Sequence, residues 1–399
     1  MRILFITTRF PGAGFRGDQL RAWQQLRHLG TRHVITLLSL DPDATTQPHA
    51  RALAAVCQGG VLHWPRSRGR LALGALSALP RPASALQSGM YRSRRLQARL
   101  RQLCAAAPFD LVHLQLVRLA DLLPALPADL PCVVDLVDAL SLNMQRRAAR
   151  EHWSRRWLFA LEARRLATLE ASVIARAAAC TISAPADARQ LAAPGAAPIA
   201  LIPNGVDLAA FPWAAPHRGA PTLLFFGNLG YFPNVDAACW LLEVLLPPLR
   251  ARWPNTRLQL VGARPQPRLA TLAARTAGAE LIGEVPDLLP WLHGATALVA
   301  PLRAGSGQQI KLIEAMAAGT PVISTAPSAQ AMGAIDGEHL LLADSAGEFM
   351  AAIARLQDQP DLALSLSTAA RVLVEARYTW SASAQALEAL WHKCRGPHL

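Results

Sequence analysis

Gly305-Ser306-Gly307-Gln308-Gln309-Ile310-Lys311-Leu312-Ile313-Glu314-Ala315-Met316-Ala317-Ala318-Gly319-Thr320-Pro321-Val322 follows the apolar run Ala297 to Pro301, so it reads as a strand, a glycine-rich turn and a helix. The first peptide N–H groups of a helix placed there, from Ser306 and Gly307 onward, point at an anion. A helical wheel puts Gly307, Lys311 and Glu314 on one stripe and Ile310, Ile313 and Ala317 on the opposite one, facing a core. A lysine can neutralise a diphosphate, and a glutamate can accept hydrogen bonds from the paired hydroxyls of a ribose. The stripe therefore suits a nucleoside diphosphate. An ordinary helix with a solvated Lys-Glu pair fits the local pattern too.

Working outward, short apolar strands alternate with longer helical patterns along the whole chain. That alternation predicts an α/β protein with parallel sheets and crossover helices. In the first half the strands fall at Ile3 to Thr7, Val34 to Leu40, Val61 to Trp64, Leu111 to Leu114, Cys132 to Leu136, Cys180 to Ser183 and Ile199 to Ile202. In the second they fall at Thr222 to Phe226, Arg257 to Val261, Ala279 to Ile282, Ala297 to Ala300, Pro321 to Ser324 and Leu340 to Leu342. With 399 residues the chain is long for one domain and comfortable for two. Pro203-Asn204-Gly205-Val206-Asp207, Phe211-Pro212 and the stretch from Pro216 to Pro221 interrupt any regular element between the halves and read as a linker.

Gly-Ser-Gly, then Lys311, then Glu-Ala-Met-Ala-Ala-Gly-Thr-Pro-Val resembles the donor-site signature of the retaining glycosyltransferases of family 4, which have the GT-B fold of two Rossmann-like domains. The resemblance implies an acceptor domain over 1–203, a linker over 204–220, a nucleotide-sugar domain over 221–375 and a terminal helix over 376–399 that crosses back to the first domain across a central cleft. It implies catalytic roles for Lys311 and Asp138, and donor contacts from Gly227, Asn228, Val285, Ser306, Gly307, Gln308 and Glu314. The loop behind the first strand, with Gly14, Arg16, Gly17 and Asp18, would meet the acceptor. Two departures from the family pattern stand out. Ser306 replaces the first of two glutamates eight positions apart, and Leu229 to Asp236 lacks the Arg and Lys that commonly grip the diphosphate, which resembles a bacterial subgroup tied to exopolysaccharide synthesis. Asp138 stands where many members place a histidine; an acid capping the next turn explains it equally, and Asp135 shares the ambiguity.

The net charge of +13 lies entirely in residues 1–210, with 26 Arg against 13 acids; the remainder balances 12 Arg and two Lys with 14 acids. Such asymmetry points to an anionic partner for the first domain, either a phospholipid surface, a pyrophosphate-linked lipid or nucleic acid, although a solvated arginine-rich surface accounts for it too. Under the glycosyltransferase resemblance no nucleic-acid partner is expected. The six cysteines are scattered, which indicates neither zinc nor a disulfide framework and suits reduced buried thiols in a cytoplasmic protein. No apolar run reaches the ~20 residues of a membrane span, so any membrane contact would be peripheral.

Several other patterns carry their own alternatives. Gly12-Ala13-Gly14-Phe15-Arg16-Gly17 is a literal G-x-G-x-x-G with Asp41 at the end of the second strand, the arrangement of a nicotinamide-dependent oxidoreductase. The four residues Thr8 to Pro11 between strand and first glycine make that fit loose. Asp41-Pro42-Asp43 matches a metal-binding Asp-x-Asp but sits in a proline-broken loop, so a turn is expected and no metal. A non-catalytic polyanion-binding protein would explain the charge but not the Lys311 stripe. From Trp153 to Ala177 the pattern is one long Arg-rich helix, with Glu162 and Glu170 spaced for side-chain pairs.

Overall fold

The computed structural model describes residues 1–12, 17–41, 50–81, 84–192, 199–303 and 307–396. The chain divides into two compact units, Met1–Pro203 with Trp380–Leu399, and Asn204–Thr379. In the first, β1 (Arg2–Thr7), β2 (Val34–Ser39), β3 (Val61–His63), β4 (Leu111–Gln115), β5 (Cys132–Val137), β6 (Ala179–Ile182) and β7 (Ile199–Leu201) form a sheet of order β3-β2-β1-β4-β5-β6-β7. Its strand pairs are all parallel. Helices cover both faces, so β1 reads as an unbroken apolar run from Ile3 to Ile6 rather than an alternating one. Along β1, Leu4 and Ile6 enter one apolar cluster with Val112, Leu114 and Leu166. Ile3 and Phe5 enter the other, with Leu26, Ile35 and Val133.

The helix Trp380–Arg395 belongs to this second cluster through Ala384, Leu387 and the fully buried Trp391. The Trp391 indole N–H donates to His113 Nδ1 at 3.3 Å, the two rings meeting edge-on. Burial lowers the His113 pKa to about 4, so that imidazole is neutral at ordinary pH and can accept the bond.

In the second unit β8 (Thr222–Phe226), β9 (Arg257–Val261), β10 (Ala279–Gly283), β11 (Ala297–Ala300), β12 (Val322–Ser324) and β13 (Leu341–Leu342) form a parallel sheet of order β10-β9-β8-β11-β12-β13. One large core, from Leu224 and Leu260 through Val299, Ile313 and Ile353 to Val374, holds it together. The helix Ile310–Ala318 ends at Gly319, whose φ of 89° is left-handed. A Cβ there would lie 2.1 Å from the Ala214 carbonyl oxygen, so only glycine lets residues 213–214 pack on the helix end.

The Arg-rich helix runs over Trp153–Arg176. Its buried glutamates do not make the expected side-chain pairs. Glu162 accepts from the peptide N–H groups of Leu86 and Gln87 at 2.9 and 3.0 Å, capping the helix Leu86–Gly89. Glu170 accepts from Ser141 N at 3.1 Å at the start of the helix Leu140–Arg150. Orphan donors at helix starts are satisfied across the fold, which is worth more to a buried carboxylate than a solvated arginine. The six cysteines are free, with Cys57, Cys132, Cys180 and Cys239 buried. Among the described residues no helix is long and apolar enough to cross a membrane.

Candidate functional site

In the second sheet the strand order reverses between β8 and β11, the place where open parallel sheets bind ligands at their carboxyl ends. Gly227 follows β8 directly, with φ 140° and its N–H donating to the Val261 carbonyl at 3.0 Å. A Cβ on Gly227 would lie 2.9 Å from Asn234 Nδ2 and 3.2 Å from Lys311 Nζ; one on Gly262, after β9, would lie 1.8 Å from the Gly227 carbonyl oxygen. Bare backbone is therefore a condition of this site, because side chains here would displace the lysine.

Lys311 is 8% exposed, on the first turn of the helix Ile310–Ala318. Its Nζ donates to Asn234 Oδ1 at 2.7 Å and lies 4.2 Å from the centre of the Phe225 ring. Both partners are neutral. Burial drives the Lys311 pKa down to about 7, with the Glu314 charge opposing. Burial drives the Glu314 pKa up to about 7, with the Lys311 charge opposing. Of residues 311–318 only Glu314 keeps partial exposure, and no described side chain or peptide hydrogen-bonds its carboxylate.

The helix begins later than the sequence suggests. Gln309 is its N-cap and Ile310 its first residue, while Gly307 has a left-handed φ of 75° that no helix accommodates. Gln308, 7% exposed, is anchored instead, its Oε1 accepting from Asn204 N at 2.7 Å. Lys311 and Glu314 do share one face, one turn apart; Gly307 is off the helix, and Ile310, expected in the core, is half-buried. Ser306 lies outside the described residues.

Asn228 joins the same place. Its carbonyl accepts from Asn234 Nδ2 at 3.0 Å and its side-chain oxygen from Gly230 N at 2.9 Å. Asn234 thus links the Gly227-Asn228 turn to Lys311, a role the sequence reading missed; its signal was a polar residue directly after Pro233 in the first turn of the helix Phe232–Trp240. Arg303, after β11, was missed too. It pairs with both Asp236 carboxylate oxygens at 3.2 and 3.0 Å. Val285 is half-buried after the edge strand β10 and packs on the core.

The first sheet reverses between β1 and β4. Behind β1, Gly17 opens the helix Gly17–Leu29, and Asp18 pairs with Arg9 at 2.5 Å while its carbonyl accepts from Gln115 Nε2 at 2.8 Å. Gly14 and Arg16 lie outside the described residues, as do Pro42 and Asp43. Asp41 accepts the Phe10 N–H at 2.9 Å, so the carboxylate a dinucleotide fold would offer to a ribose is tied into the loop.

Asp135 is structural. It is fully buried against Arg21 at 2.6 Å and accepts from Thr181 Oγ1 at 2.8 Å. Burial alone would raise its pKa, but the guanidinium overrides it and holds the carboxyl below the usual range. Asp138, half-buried, follows Val137, a β-branched residue at φ 66°; Leu116, just past β4, has φ 76°. Strain of this kind at the carboxyl ends of two strands costs about 1–3 kcal/mol each and gathers at functional sites. Burial raises the neighbouring Glu170 pKa to about 7, hydrogen bonds from Ser141 opposing and the Asp138 charge adding to it.

Two Rossmann-like units with these sheets define the GT-B class, and solved structures share the architecture over nearly the whole chain. Sucrose-phosphate synthase from Thermosynechococcus elongatus superposes with a TM-score of 0.74 at 19% identity, covering 98% of each chain. Anabaena HepE in complex with UDP and glucose superposes with a TM-score of 0.65 at 15% identity, covering 97% of this chain and 98% of its own. By sequence, residues 220–359, most of the second unit, match the family profile of the glycosyl transferases group 1. Glycogen synthase of Mycobacterium tuberculosis is 31% identical over 218 residues, 52% of this chain and 51% of its own. A phosphatidyl-myo-inositol mannosyltransferase of Mycolicibacterium smegmatis is 32% identical over 189 residues, 45% and 48% of the two chains. The chain thus spans about half the length of the curated relatives it matches.

Proposed function

We propose that this protein is a retaining glycosyltransferase that moves a sugar from a nucleotide diphosphate sugar to a glycan or lipid-linked acceptor, in the synthesis of exopolysaccharide or another surface polysaccharide. The observation that carries the reading is Lys311: a buried amine whose direct contacts among the described residues are neutral, beside bare glycine backbone, at the switch point of a unit that matches the group 1 glycosyl transferases. A cation so placed gains most from an anion that arrives with the substrate.

In this reading Lys311, the peptides around Gly307 and the Gly227 turn receive the diphosphate, and no metal is required because the amine balances the leaving charge. Gln308 holds the turn against Asn204, Asn228 fixes Asn234, the Glu314 carboxylate accepts the ribose hydroxyls, and the Val285 backbone meets the base. Asp138 and the loop of Gly14, Arg16, Gly17 and Asp18 serve the acceptor. With retention the diphosphate departs from the face the acceptor oxygen attacks. Stabilising that dianion is then the main catalytic task, since only interactions stronger in the transition state accelerate transfer. The uridine complexes of the structural neighbour HepE favour a uridine nucleotide as donor.

Slow hydrolysis across uridine, guanosine and adenosine diphosphate sugars tests the proposal. One sugar nucleotide should be consumed with release of its diphosphate, and an inert panel together with no calorimetric heat from any nucleoside diphosphate would overturn it. Glu314→Gln should weaken donor binding by about 1.5–3 kcal/mol, the worth of hydrogen bonds to a charged acceptor, in the same titration.

A further inference from the structure

At the outer end of the first sheet, past β3, a cavity of about 230 Å³ is bounded by Trp64, Pro65, Arg66, Arg70, Ser93 and Arg95. It is smaller than the ~300–1,000 Å³ of sites for drug-sized ligands, and suits a compact group. Three guanidinium groups border it, and none has a carboxylate at ion-pair distance among the described residues. Arg66 is 7% exposed; its Nη2 donates to the Met90 carbonyl at 2.8 Å, while its buried Nε has no partner among the described residues. Burial, and then the charge of Arg70, lower its pKa. A buried donor left unmade beside like charges is costly unless an anion completes the arrangement.

Two helix starts make the same point independently. Arg68–Ala78 and Arg94–Ala106 each carry arginines and no acid in the first turn, where the positive end of the macrodipole favours carboxylates. Ser67 and Ser93 cap those starts with their hydroxyls. Cations at positive helix ends around one cavity are unfavourable in isolation. An anion with several acceptor oxygens reverses the sign of every one of these interactions.

The helix Arg68–Ala78 also sets an apolar stripe next to the arginines. Leu73, Leu76 and Leu79, at three-residue spacing, are 67%, 59% and 45% exposed. The helix is fixed by contact with the next one, since a Cβ on Gly74 would lie 2.4 Å from the Gly89 carbonyl oxygen. Arg165 holds its far end by donating to the carbonyls of Ala78 and Leu79. A rigid helix with an arginine-rich beginning and exposed leucines beyond it matches the order of groups in an amphiphile, phosphate first and hydrocarbon next.

We propose that this cavity binds a phosphate or diphosphate ester and holds the phosphate end of a lipid-anchored acceptor, whose chain lies along Leu73, Leu76 and Leu79. This rests on the glycosyltransferase reading for the acceptor's role but not for the binding itself.

The full chain, saturated with UDP so that the second unit is filled, would be titrated calorimetrically with inorganic pyrophosphate. Binding is expected, and the paired surface substitutions Arg70→Ser and Arg95→Ser should weaken it about tenfold or more while leaving the UDP heat unchanged. A short-chain prenyl diphosphate should bind about tenfold more tightly than pyrophosphate, a gain lost in Leu73→Asn with Leu76→Asn. Normal UDP binding with no pyrophosphate binding, or binding indifferent to the arginine pair, would overturn the site. Equal affinity for pyrophosphate and the prenyl diphosphate would overturn the lipid assignment. If UDP gives no heat, the donor reading fails by itself, and the pyrophosphate titration of Lys311→Ala still reports on the cavity.

Discussion

The two units bury charge at the carboxyl ends of similar sheets, and they do so in opposite ways. In the first, Arg21 and Asp135 are both fully buried and meet at 2.6 Å, with Thr181 supplying a further bond. In the second, Lys311 meets an amide oxygen and an aromatic ring, and Glu314 has no hydrogen-bond partner among the described residues. A charge whose counter-ion is built in serves the fold. A charge furnished with neutral neighbours is poised for something that arrives from outside.

That contrast can be broken most forcefully at Asp135. Asp135→Asn leaves the Arg21 guanidinium buried without its counter-charge, and should lower stability by about 3–5 kcal/mol in a denaturant titration. If the midpoint scarcely moves, the pair is not structural. Lys311→Met should do the reverse. It should cost about 2–4 kcal/mol of transition-state stabilisation in kcat, comparable to losing one oxyanion donor, while stability holds or rises because a desolvated cation has been removed. Equal losses of folding and turnover would erase the distinction between the units. Gly227→Ala should cost about 1–3 kcal/mol of stability through overpacking on Asn234 and Lys311, and lower nucleotide affinity in the same protein.

The smallest expected effect is a matter of protons. Folding lowers the Lys311 pKa to about 7, so the unfolded chain holds the extra proton from there up to the ordinary lysine range. The stability cost of the buried amine is therefore fully present below that window and is relieved as pH rises through it. A diphosphate beside the amine raises its pKa again. Nucleotide binding above neutrality should then take up a fraction of a proton and weaken as pH climbs, which titration in buffers of different ionisation enthalpy would read. Binding with no buffer dependence on the alkaline side would mean Lys311 stays charged without its ligand.

Much of the fold is written locally. All thirteen expected strands appear within one residue of their predicted ends, because strands covered on both faces are short apolar runs bounded by turn residues. Lys311 and Glu314 were legible for a related reason, since i and i+3 on a helix fix a shared face before any tertiary contact. What escaped depends on partners distant in sequence. Asn234 lies 77 residues from the lysine it contacts. The late helix start follows from the left-handed Gly307 and from Gln308 reaching Asn204, neither visible in a wheel. Glu162 and Glu170 looked like partners for arginines on their own helix, but they cap helices lying 76 and 29 residues away.

The helix that buries Trp391 gives the first unit an unusual order of manufacture. Its seven-stranded sheet is complete by residue 201, yet one face of that sheet keeps an open socket until residues 380–395 emerge. During synthesis the second unit can therefore close before the first, which must wait with apolar surface exposed to chaperones and to itself. Expressed without those residues, the early part of the chain should collect in aggregates rather than accumulate as a working half.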